Sequence, residues 1–270
     1  MARRRPAEPL TRLESSPRSR VWALPGTPAL VVKLADPAAV RREVAALRAL
    51  VGLDVAPELV AAAPGVLVTR RLPGTPRPAD DLGPEHLRAL GGAVRRAHER
   101  RHAASGGLRS WRAPARSLAA YRRLRARDAL ALARDGEREL AERVARALPP
   151  PPPVARPAFR LLHGDLWSGN VVWQGRTPRL ADWEFWRGGD PAEDLAYLAE
   201  MDGLDERRLR ALLAGYGDPG MRPRVEAWRG LVALDAGLWY LRHGDRRRGG
   251  PLLARAAGLA GLPERAVIAR

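Results

Sequence analysis

Three side chains of the sequence, two carboxylates and one amide, have the types and the spacing needed to surround a metal–phosphate complex. Asp165 and Asn170 belong to one short polar segment that follows an apolar run. Asp182 comes twelve residues after Asn170, beyond a predicted hairpin with its turn at Gly175. Phosphoryl transfer needs a carboxylate that faces the acceptor hydroxyl, and Mg²⁺ prefers hard oxygen ligands. The spacing therefore predicts that Asp165 meets the hydroxyl while Asn170 and Asp182 hold Mg²⁺.

The His-Gly-Asp triplet that contains Asp165 occurs a second time, at 243–245, and this copy serves as an internal control. It follows a helix-like segment instead of a strand, and position 250 is glycine where the first copy has Asn170. The triplet by itself therefore predicts no chemistry. We interpret the second copy as a charged helix end.

Lysine occurs once in the chain, at position 33, and the other 46 basic residues are all arginine. Lysine is a compact point charge and arginine a wide planar fork, so a tight phosphate pocket would favour lysine. Lys33 lies in an apolar run that predicts a strand. Glu43 falls at the edge of the buried face of the next helix, where an unpaired carboxylate would be costly. Lys33 is thus a candidate site residue, and Glu43 an acid that needs a partner.

Two segments, HGDLWSGNVVW and LADWEFWRGGDPAEDLAY, resemble the aminoglycoside phosphotransferase and choline kinase superfamily. The first also matches the protein-kinase catalytic loop pattern H-x-D-L-x-x-x-N. The resemblance implies a catalytic role for Asp165, Mg²⁺ binding by Asn170 and Asp182, and ATP and Mg²⁺ as cofactors. It also implies that Lys33 contacts the ATP phosphates while it is paired with Glu43.

The sequence departs from the protein-kinase pattern at two places. The glycine-rich G-x-G-x-x-G loop is absent, and Ser15, Ser16 and Ser19 are candidates to replace its phosphate contacts. The segment at Asp182 reads Asp-Trp-Glu instead of Asp-Phe-Gly, which resembles small-molecule kinases. The catalytic segment also resembles that of fructosamine kinases, although Asp-Trp-Glu fits the aminoglycoside and choline group better.

Further residues of these segments are candidates for supporting roles. His163 is interpreted as a structural residue of the loop, and Asp190 and Asp194 as braces of the loop at a helix start. Glu184 and Trp167 are candidates for contact with the substrate. Tryptophans near the site could form a cage for an ammonium group, with core packing as the alternative for at least two of them. They are Trp167, Trp173, Trp183 and Trp186.

Short apolar runs and turn residues predict a strand-rich first part of the chain. A serine-rich polar loop, Glu14 to Arg20, precedes a hairpin, and a helix begins at Asp36-Pro37, where aspartate can cap and proline suits the first turn. Its buried face should contain Val40, Val44, Leu47 and Val51. The predicted strands are Val21–Leu24, Ala29–Leu34, Val55–Ala62 and Val66–Thr69.

The remaining part reads as mainly helical, which predicts an α+β fold, and the resemblance implies that this fold is of the two-lobed protein-kinase-like type. We place the strand-rich N-terminal lobe at residues 1–72 and the catalytic and substrate-binding lobe at 73–270. The resemblance implies that the linker near 69–72 offers backbone groups to adenine. The predicted helices are Pro84–Arg101, one or two within Leu118–Leu148 that should cover the acceptor, Pro191–Met201, Asp205–Tyr216, Arg222–Leu241 and Pro251–Leu259. The predicted strands are Phe159–Leu162, Val171–Trp173 and Leu180–Ala181.

Composition narrows the class of protein. The 270 residues are 46% hydrophobic and include no cysteine, which excludes disulfides and cysteine nucleophiles. No apolar stretch is long enough for a membrane span, so a cytoplasmic enzyme is expected. The net charge of +17 comes from arginines spread along the chain, and we expect a solvated surface without nucleic-acid binding. Between positions 165 and 206, ten acidic residues outnumber three arginines, which favours Mg²⁺ and a cationic substrate.

These features together predict an ATP-dependent phosphotransferase that acts on a hydroxyl of a small molecule. Aminoglycoside-, choline- and sugar-like acceptors all fit, and the oligomeric state is left open. The alternatives are a fructosamine-type kinase, a protein kinase, and a kinase-like protein without catalysis that regulates or binds nucleic acid. The complete set of Lys33, Asp165, Asn170 and Asp182 argues against a non-catalytic protein.

Overall fold

The first part of the molecule is an antiparallel sheet of five strands, in the order β1-β2-β3-β5-β4. The computed structural model describes residues 11–15, 19–24, 26, 29–100, 132, 134–149 and 160–262. The strands of the sheet are Thr11–Ser15 (β1), Ser19–Leu24 (β2), Leu30–Ala35 (β3), Leu59–Ala63 (β4) and Val66–Arg70 (β5).

Strand β3 lies in the middle of this sheet, and the pairing places Lys33 on its buried face. Lys33 is opposite Val21 of β2 and Leu67 of β5. Directly opposed residues on neighbouring strands point to the same face, and Leu67 is buried. The Lys33 side chain therefore projects towards the interior, where only 7% of the residue is exposed.

Helix α1, Pro37–Ala49, packs against the sheet and begins as the sequence predicts. The Asp36 side chain accepts hydrogen bonds from two backbone N–H groups of the first turn, which satisfies donors that a helix start leaves free. One face of the helix buries Val40 and, one turn later, Glu43. The helix thus brings a carboxylate to the face of the sheet from which Lys33 projects.

Two predictions for this part are wrong in detail. The helix ends at Ala49, so Val51 leaves the buried face and is 66% exposed, while Leu50 is buried. The strand predicted to start at Val55 starts at Leu59. Val55 is buried outside a strand, and its carbonyl accepts a hydrogen bond from the backbone of Leu180, far along the chain.

The polar loop predicted for Glu14 to Arg20 is shorter than expected, because both ends of it belong to strands. Glu14 and Ser15 lie in β1, and Ser19 and Arg20 lie in β2. Ser16 is outside the described residues. A phosphate contact by the three serines therefore stays a prediction.

Helices make up most of the described residues of the second part, as predicted. The described helices are Pro84–His98 (α2), Asp135–Ala147 (α3), Pro191–Met201 (α4), Glu206–Tyr216 (α5), Met221–Arg242 (α6) and Arg246–Leu259 (α7). Helix α3 is the described end of the predicted helical segment 118–148, whose residues 118–131 lie outside the described residues. No described helix is long and apolar enough to cross a membrane.

Short strands of the second part pair with one another in two small sheets. Strand β6, Thr75–Pro76, pairs with β8, Val171–Gln174, which forms a hairpin with β9, Thr177–Leu180. Strand β7, Arg160–Leu162, pairs with β10, Arg187–Gly189. The chain has therefore joined the second part by residue 75, and the lobe boundary near residue 72 remains our prediction.

The second His-Gly-Asp triplet lies at the junction of α6 and α7, in agreement with its interpretation as a helix end. Helix α7 begins at Arg246, five residues before the predicted Pro251, because Asp245 caps it by accepting a hydrogen bond from the Arg248 N–H. This aspartate therefore has a structural partner within its own helix start.

Helices α2 and α5 approach each other closely at two glycines. A Cβ atom added to Gly91 would lie 2.1 Å from the carbonyl oxygen of Leu212, and one added to Gly215 would lie 1.9 Å from that of Arg88. Neither contact leaves room for a methyl group. The main core runs through this contact and continues to the sheet.

Candidate active site

Asp165 lies in the loop between β7 and β8, and both of its carboxylate oxygens accept hydrogen bonds. The Tyr197 hydroxyl donates to Oδ1 at 2.9 Å, and Asn170 Nδ2 donates to Oδ2 at 3.2 Å. Asn170 Nδ2 also donates to the Asp165 carbonyl oxygen at 2.8 Å. Because the amide nitrogen makes these contacts, the amide oxygen of Asn170 is the atom that could ligate a metal.

Helix α4 holds the start of this loop through Asp194. Its two carboxylate oxygens accept hydrogen bonds from the backbone of His163 at 2.6 Å and of Gly164 at 2.9 Å. Gly164 has a φ of +82°, and an added Cβ would lie 2.2 Å from the Phe185 carbonyl oxygen. The glycine of the triplet is therefore required by both its backbone conformation and its surroundings.

A buried chain of hydrogen bonds keeps Asp194 ionised. Burial alone would raise the pKa of Asp194, but the hydrogen bond from His98 and the positive charge of Arg187 contribute to lowering it overall. His98 Nε2 is 3.1 Å from Asp194, and Nδ1 is 3.1 Å from the Tyr216 hydroxyl. An ionised carboxylate can only accept hydrogen bonds, so His98 Nε2 carries the proton and donates the hydrogen bond to Asp194.

His163 connects the loop to the segment that carries Asp182. Its Nε2 is 2.8 Å from the Ala181 carbonyl oxygen and donates to it, while Nδ1 accepts from the Asp165 backbone at 3.3 Å. The Ala181 N–H in turn donates to the Asn170 carbonyl at 2.8 Å. With 1% of its surface exposed and both ring nitrogens bonded to backbone, His163 has the geometry of the structural residue that we predicted.

Lys33 lies between three carboxylates, which come from α1 and from the Asp-Trp-Glu segment. Its Nζ is 2.9 Å from Glu43, 2.5 Å from Asp182 and 3.0 Å from Glu184. Burial would lower the pKa of Lys33, but the three negative charges outweigh it and raise the pKa. The ammonium group is therefore held charged, and the pairing with Glu43 expected from the resemblance is present.

The three carboxylates form one cluster, with an oxygen of each within 4.8 Å of the others. Burial raises the pKa of Glu43, and the Lys33 charge opposes this. Its second oxygen accepts a hydrogen bond from the Trp183 backbone at 3.2 Å. Asp182 has a φ of +62°, a left-handed conformation that aspartate adopts more readily than most residues.

The two candidate substrate residues lie in different surroundings. Glu184 is buried with Lys33, and its backbone carbonyl accepts a hydrogen bond from Arg42, so the structure places it in the Lys33 cluster. Trp167 is partly exposed and folds over Gly169. The Arg248 guanidinium carbon lies 6.0 Å from the centre of the Trp167 ring.

Three of the four tryptophans near the site are packing residues. Trp173, Trp183 and Trp186 are buried, and the indole N–H groups of the last two donate to backbone carbonyls. Only Trp167 of the four is exposed enough to meet a substrate. The four together therefore do not form a cage for an ammonium group.

One prediction about the braces of the loop is wrong, and one brace was not predicted. Asp190 caps α4 and binds Arg224 and Trp228 of α6, so it connects two helices instead of bracing the loop. Asp202, at the end of α4, was missed by the sequence analysis. Its carboxylate accepts hydrogen bonds from the Ser168 N–H and hydroxyl, the latter at 2.9 Å.

Tyr197 was also missed by the sequence analysis, although a signal was present. Asp190, Asp194 and Tyr197 are spaced i, i+4 and i+7, which places them on one helix face. A tyrosine on the face that carries the bracing aspartate could have been expected to reach the same loop. Only the structure shows that its partner is Asp165.

Comparisons with known proteins show which family the chain resembles. The model of the phosphotransferase enzyme family, APH, matches residues 8–228. Viomycin phosphotransferase of Streptomyces vinaceus is 38% identical over 116 residues, which are 41% of this chain and 39% of that protein. A LicA homolog of Metamycoplasma hominis is 37% identical over 57 residues, 21% of this chain and 23% of that protein. The chain thus matches about two fifths or less of the length of these relatives.

Solved structures share the fold along almost the whole chain. A choline/ethanolamine kinase family protein from Mesorhizobium loti has a TM-score of 0.70 and 23% identity, over 96% of this chain and 92% of that one. Choline kinase from Cryptosporidium parvum has a TM-score of 0.73 and 12% identity, over 94% and 89%. The streptomycin–ATP complex of APH(2")-IIa has a TM-score of 0.66 and 16% identity, over 97% and 94%. With the family model matched over most of its length, the chain belongs to the phosphotransferase enzyme family, APH.

Proposed function

We propose that the chain is a kinase that transfers the γ-phosphoryl group of ATP to a hydroxyl of a small molecule. One observation carries this proposal: the loop of Asp165 and the cluster of Lys33 and Asp182 are joined into one site. His163 and Asn170 both bond to the backbone of Ala181, the residue before Asp182. A carboxylate for the acceptor and a charged pocket for phosphates are thereby fixed relative to each other.

The residues present fit a magnesium ion. The Asn170 amide oxygen and the Asp182 carboxylate are hard oxygen donors of the kind that Mg²⁺ takes. Asp182 also belongs to the cluster of three carboxylates with Glu43 and Glu184. We assign Asn170 and Asp182 as the residues that hold it. When bound, Mg²⁺ neutralises charge on the phosphate oxygens.

Asp165 and Lys33 have complementary roles in the proposed reaction. The acceptor oxygen forms a bond to the γ-phosphorus while the bond to the bridging oxygen breaks, and ADP leaves. The acceptor proton passes to Asp165, which also orients the hydroxyl. Lys33 offsets negative charge on the phosphates, and Glu43 keeps its ammonium group in place.

Adenine is proposed to bind at the linker near residues 69–72. Two of the N–H groups there already have partners, since Arg70 donates to the Glu58 carbonyl and Arg71 to the Ala29 carbonyl. These bonds hold the linker against the sheet. The linker would therefore recognise adenine through its other backbone groups.

The acceptor class that we propose first is an antibiotic with several hydroxyl and amino groups. The 38% identity to a viomycin phosphotransferase supports it. A choline-type acceptor is the second candidate, supported by the shared fold with choline kinases. Arg248 argues against the second, because its guanidinium already lies over the ring of Trp167, where a substrate ammonium would otherwise stack.

The test is a screen for ADP release in the presence of ATP and Mg²⁺. The panel contains viomycin, aminoglycosides, choline, ethanolamine, sugars and a protein substrate, so that it also separates the protein-kinase alternative. We expect release that depends on a small-molecule acceptor, and a loss of roughly 10²- to 10⁴-fold in Asp165→Asn with ATP binding retained. Acceptor-dependent turnover by Asp165→Asn at the original rate would refute the assignment.

A further inference from the structure

Helix α4 runs beside the catalytic loop and contacts it at successive points in the same order. Asp194 accepts from the backbone of His163 and Gly164, and Asp202 accepts from Ser168. Tyr197 lies between these two aspartates on the helix, and it contacts Asp165. The contacts therefore advance along the helix and along the loop together.

The contact of Tyr197 differs in kind from the other two. Asp194 and Asp202 hold backbone groups and so fix the path of the loop. The Tyr197 hydroxyl instead donates to a side-chain oxygen, Oδ1 of Asp165, at 2.9 Å. A side chain on a well-fixed backbone can still rotate about χ1 and χ2, so a separate contact is needed to fix the carboxylate.

The two donors to Asp165 together fix the plane of its carboxylate. Tyr197 holds Oδ1 and Asn170 holds Oδ2, and each donor is on a different element. A carboxylate oxygen can accept more than one hydrogen bond, so both oxygens keep capacity for an acceptor hydroxyl. Hydrogen bonds to a charged group are among the stronger ones in proteins.

We propose that Tyr197 is a positioning residue for phosphoryl transfer, which orients the carboxylate of Asp165 towards the acceptor hydroxyl. This inference rests on the proposed function. Through this hydrogen bond Tyr197 acts on Asp165, so its loss should slow the chemical step and leave nucleotide binding unchanged. The Lys33 cluster is built from other elements, namely β3, α1 and the Asp-Trp-Glu segment, whereas Tyr197 lies on α4.

Tyr197→Phe removes the hydroxyl and keeps the ring. We expect kcat for ADP release, with water or an acceptor from the screen, to fall about 10-fold, the scale of one lost hydrogen bond to a charged group. KM for ATP and the melting temperature should stay unchanged. A larger change, Tyr197→Leu, should lower kcat to a similar degree and also lower the melting temperature, because it removes packing as well.

Tyr240→Phe is the matched control. Burial raises the pKa of Tyr240, and the negative charge of Asp165 also raises it. The Arg248 guanidinium carbon lies 5.5 Å from the centre of the Tyr240 ring. The side-chain hydrogen bond of Tyr240 is with Arg248. Loss of the Tyr240 hydroxyl should change kcat, measured with water as the acceptor, by no more than about twofold relative to the original chain. A change of this size is within the variation that single interactions show between contexts.

The outcomes separate a failure of this inference from a failure of the proposed function. If Asp165→Asn abolishes turnover while Tyr197→Phe keeps the original kcat, only the positioning role is overturned. A fall in kcat accompanied by a higher KM for ATP and a lower melting temperature would indicate a structural role and would also overturn it. A crystal structure of Tyr197→Phe decides the matter independently of turnover: we expect a rotated or multiple-conformer Asp165, and an unmoved carboxylate would contradict the inference.

Discussion

The Lys33 ammonium group makes contacts of 2.5 to 3.0 Å with three carboxylates and is almost completely buried. An ammonium group offers three donors from one nitrogen, which matches three acceptors arranged around a point. A guanidinium spreads its donors over a plane and needs more room. At the scale of the residue, this geometry explains why one lysine remains in a chain whose other basic residues are arginine.

Lys33→Arg keeps the charge and should still impair the site. We expect kcat/KM for ATP to fall at least about 10-fold and the free energy of unfolding to fall by about 1–3 kcal/mol, because the wider group overpacks the pocket. ADP release and urea denaturation measure the two effects. The reverse exchange on the exposed face of α1, Arg48→Lys, is the control and should change neither quantity measurably. Equal activity of Lys33→Arg and the original chain would contradict the account.

At the scale of elements, α4 holds the Asp165 loop through several hydrogen bonds, and close packing against α5 holds α2 in place. Asp194 is bonded both to the loop and to His98 of α2. Helix α2 in turn contacts α5 through Gly91 and Gly215. A change at either contact should therefore be felt in the stability of the whole second part.

Asp194→Asn should destabilise the protein in a pH-dependent way. The pKa of Asp194 in the folded state is lowered from its ordinary 3.8, so its ionised form stabilises the fold at neutral pH. We expect a loss of about 3–5 kcal/mol at pH 7, the scale for breaking a buried charged pair. The pKa of Asp194 is lower in the folded state than in the unfolded state. The difference in unfolding free energy between the variant and the original chain should therefore shrink only as the pH falls below 3.8.

Urea denaturation at several pH values, with the original chain beside the variant, measures this difference. A difference that stays constant down to pH values well below 3.8 would show that the charge of Asp194 is not what stabilises the loop.

Neighbouring glycines of α2 should respond in opposite directions to the same substitution. Gly91→Ala places a methyl group 2.1 Å from the Leu212 carbonyl oxygen and should cost about 1–3 kcal/mol of unfolding free energy, since backbone must shift. At Gly92 the nearest atom is 3.7 Å away, an ordinary contact. Gly92→Ala should therefore be neutral or add up to about 1 kcal/mol, because alanine favours the helix. Thermal or urea unfolding of both variants tests this, and equal losses would argue against the close packing.

At the scale of the whole molecule, the site places a dense group of acids inside a strongly basic protein. The chain carries +17 overall, yet the carboxylates of Glu43, Asp182 and Glu184 lie within 4.8 Å of one another around one ammonium group. Such a cluster repels phosphates unless a further cation is present. Binding of nucleotide should therefore depend on Mg²⁺ more than the net charge suggests.

Thermal unfolding with and without Mg²⁺ measures this dependence. At a concentration of 100 Kd, a ligand adds about 2.7 kcal/mol, which corresponds to a rise in Tm of roughly 5–10 °C for a chain of this size. We expect that rise with ATP and Mg²⁺, and less than about half of it with ATP and EDTA. In Asp182→Asn the difference between the two conditions should disappear. A full shift with ATP alone would contradict the proposed role of the cluster.

The sequence by itself determined the local parts of this protein. Aspartate followed by proline fixed the starts of α1 and α4, because capping and proline geometry depend only on neighbouring residues. The spacing of Asp165 and Asn170 fixed their contact, since they are only five positions apart in one loop. The single lysine drew attention to Lys33 before any partner was known.

The tertiary structure decided which distant side chains meet. Lys33 and Asp182 are 149 residues apart, and no local preference predicts that Glu184 joins them instead of facing a substrate. The direction of the Glu184 side chain depends on the short turn that carries it and on the packing of α1. The direction of Tyr197 likewise depends on the packing of α4. Contacts between elements depend on how their surfaces pack, because the energy of a side chain far along the chain is set by its neighbours in space.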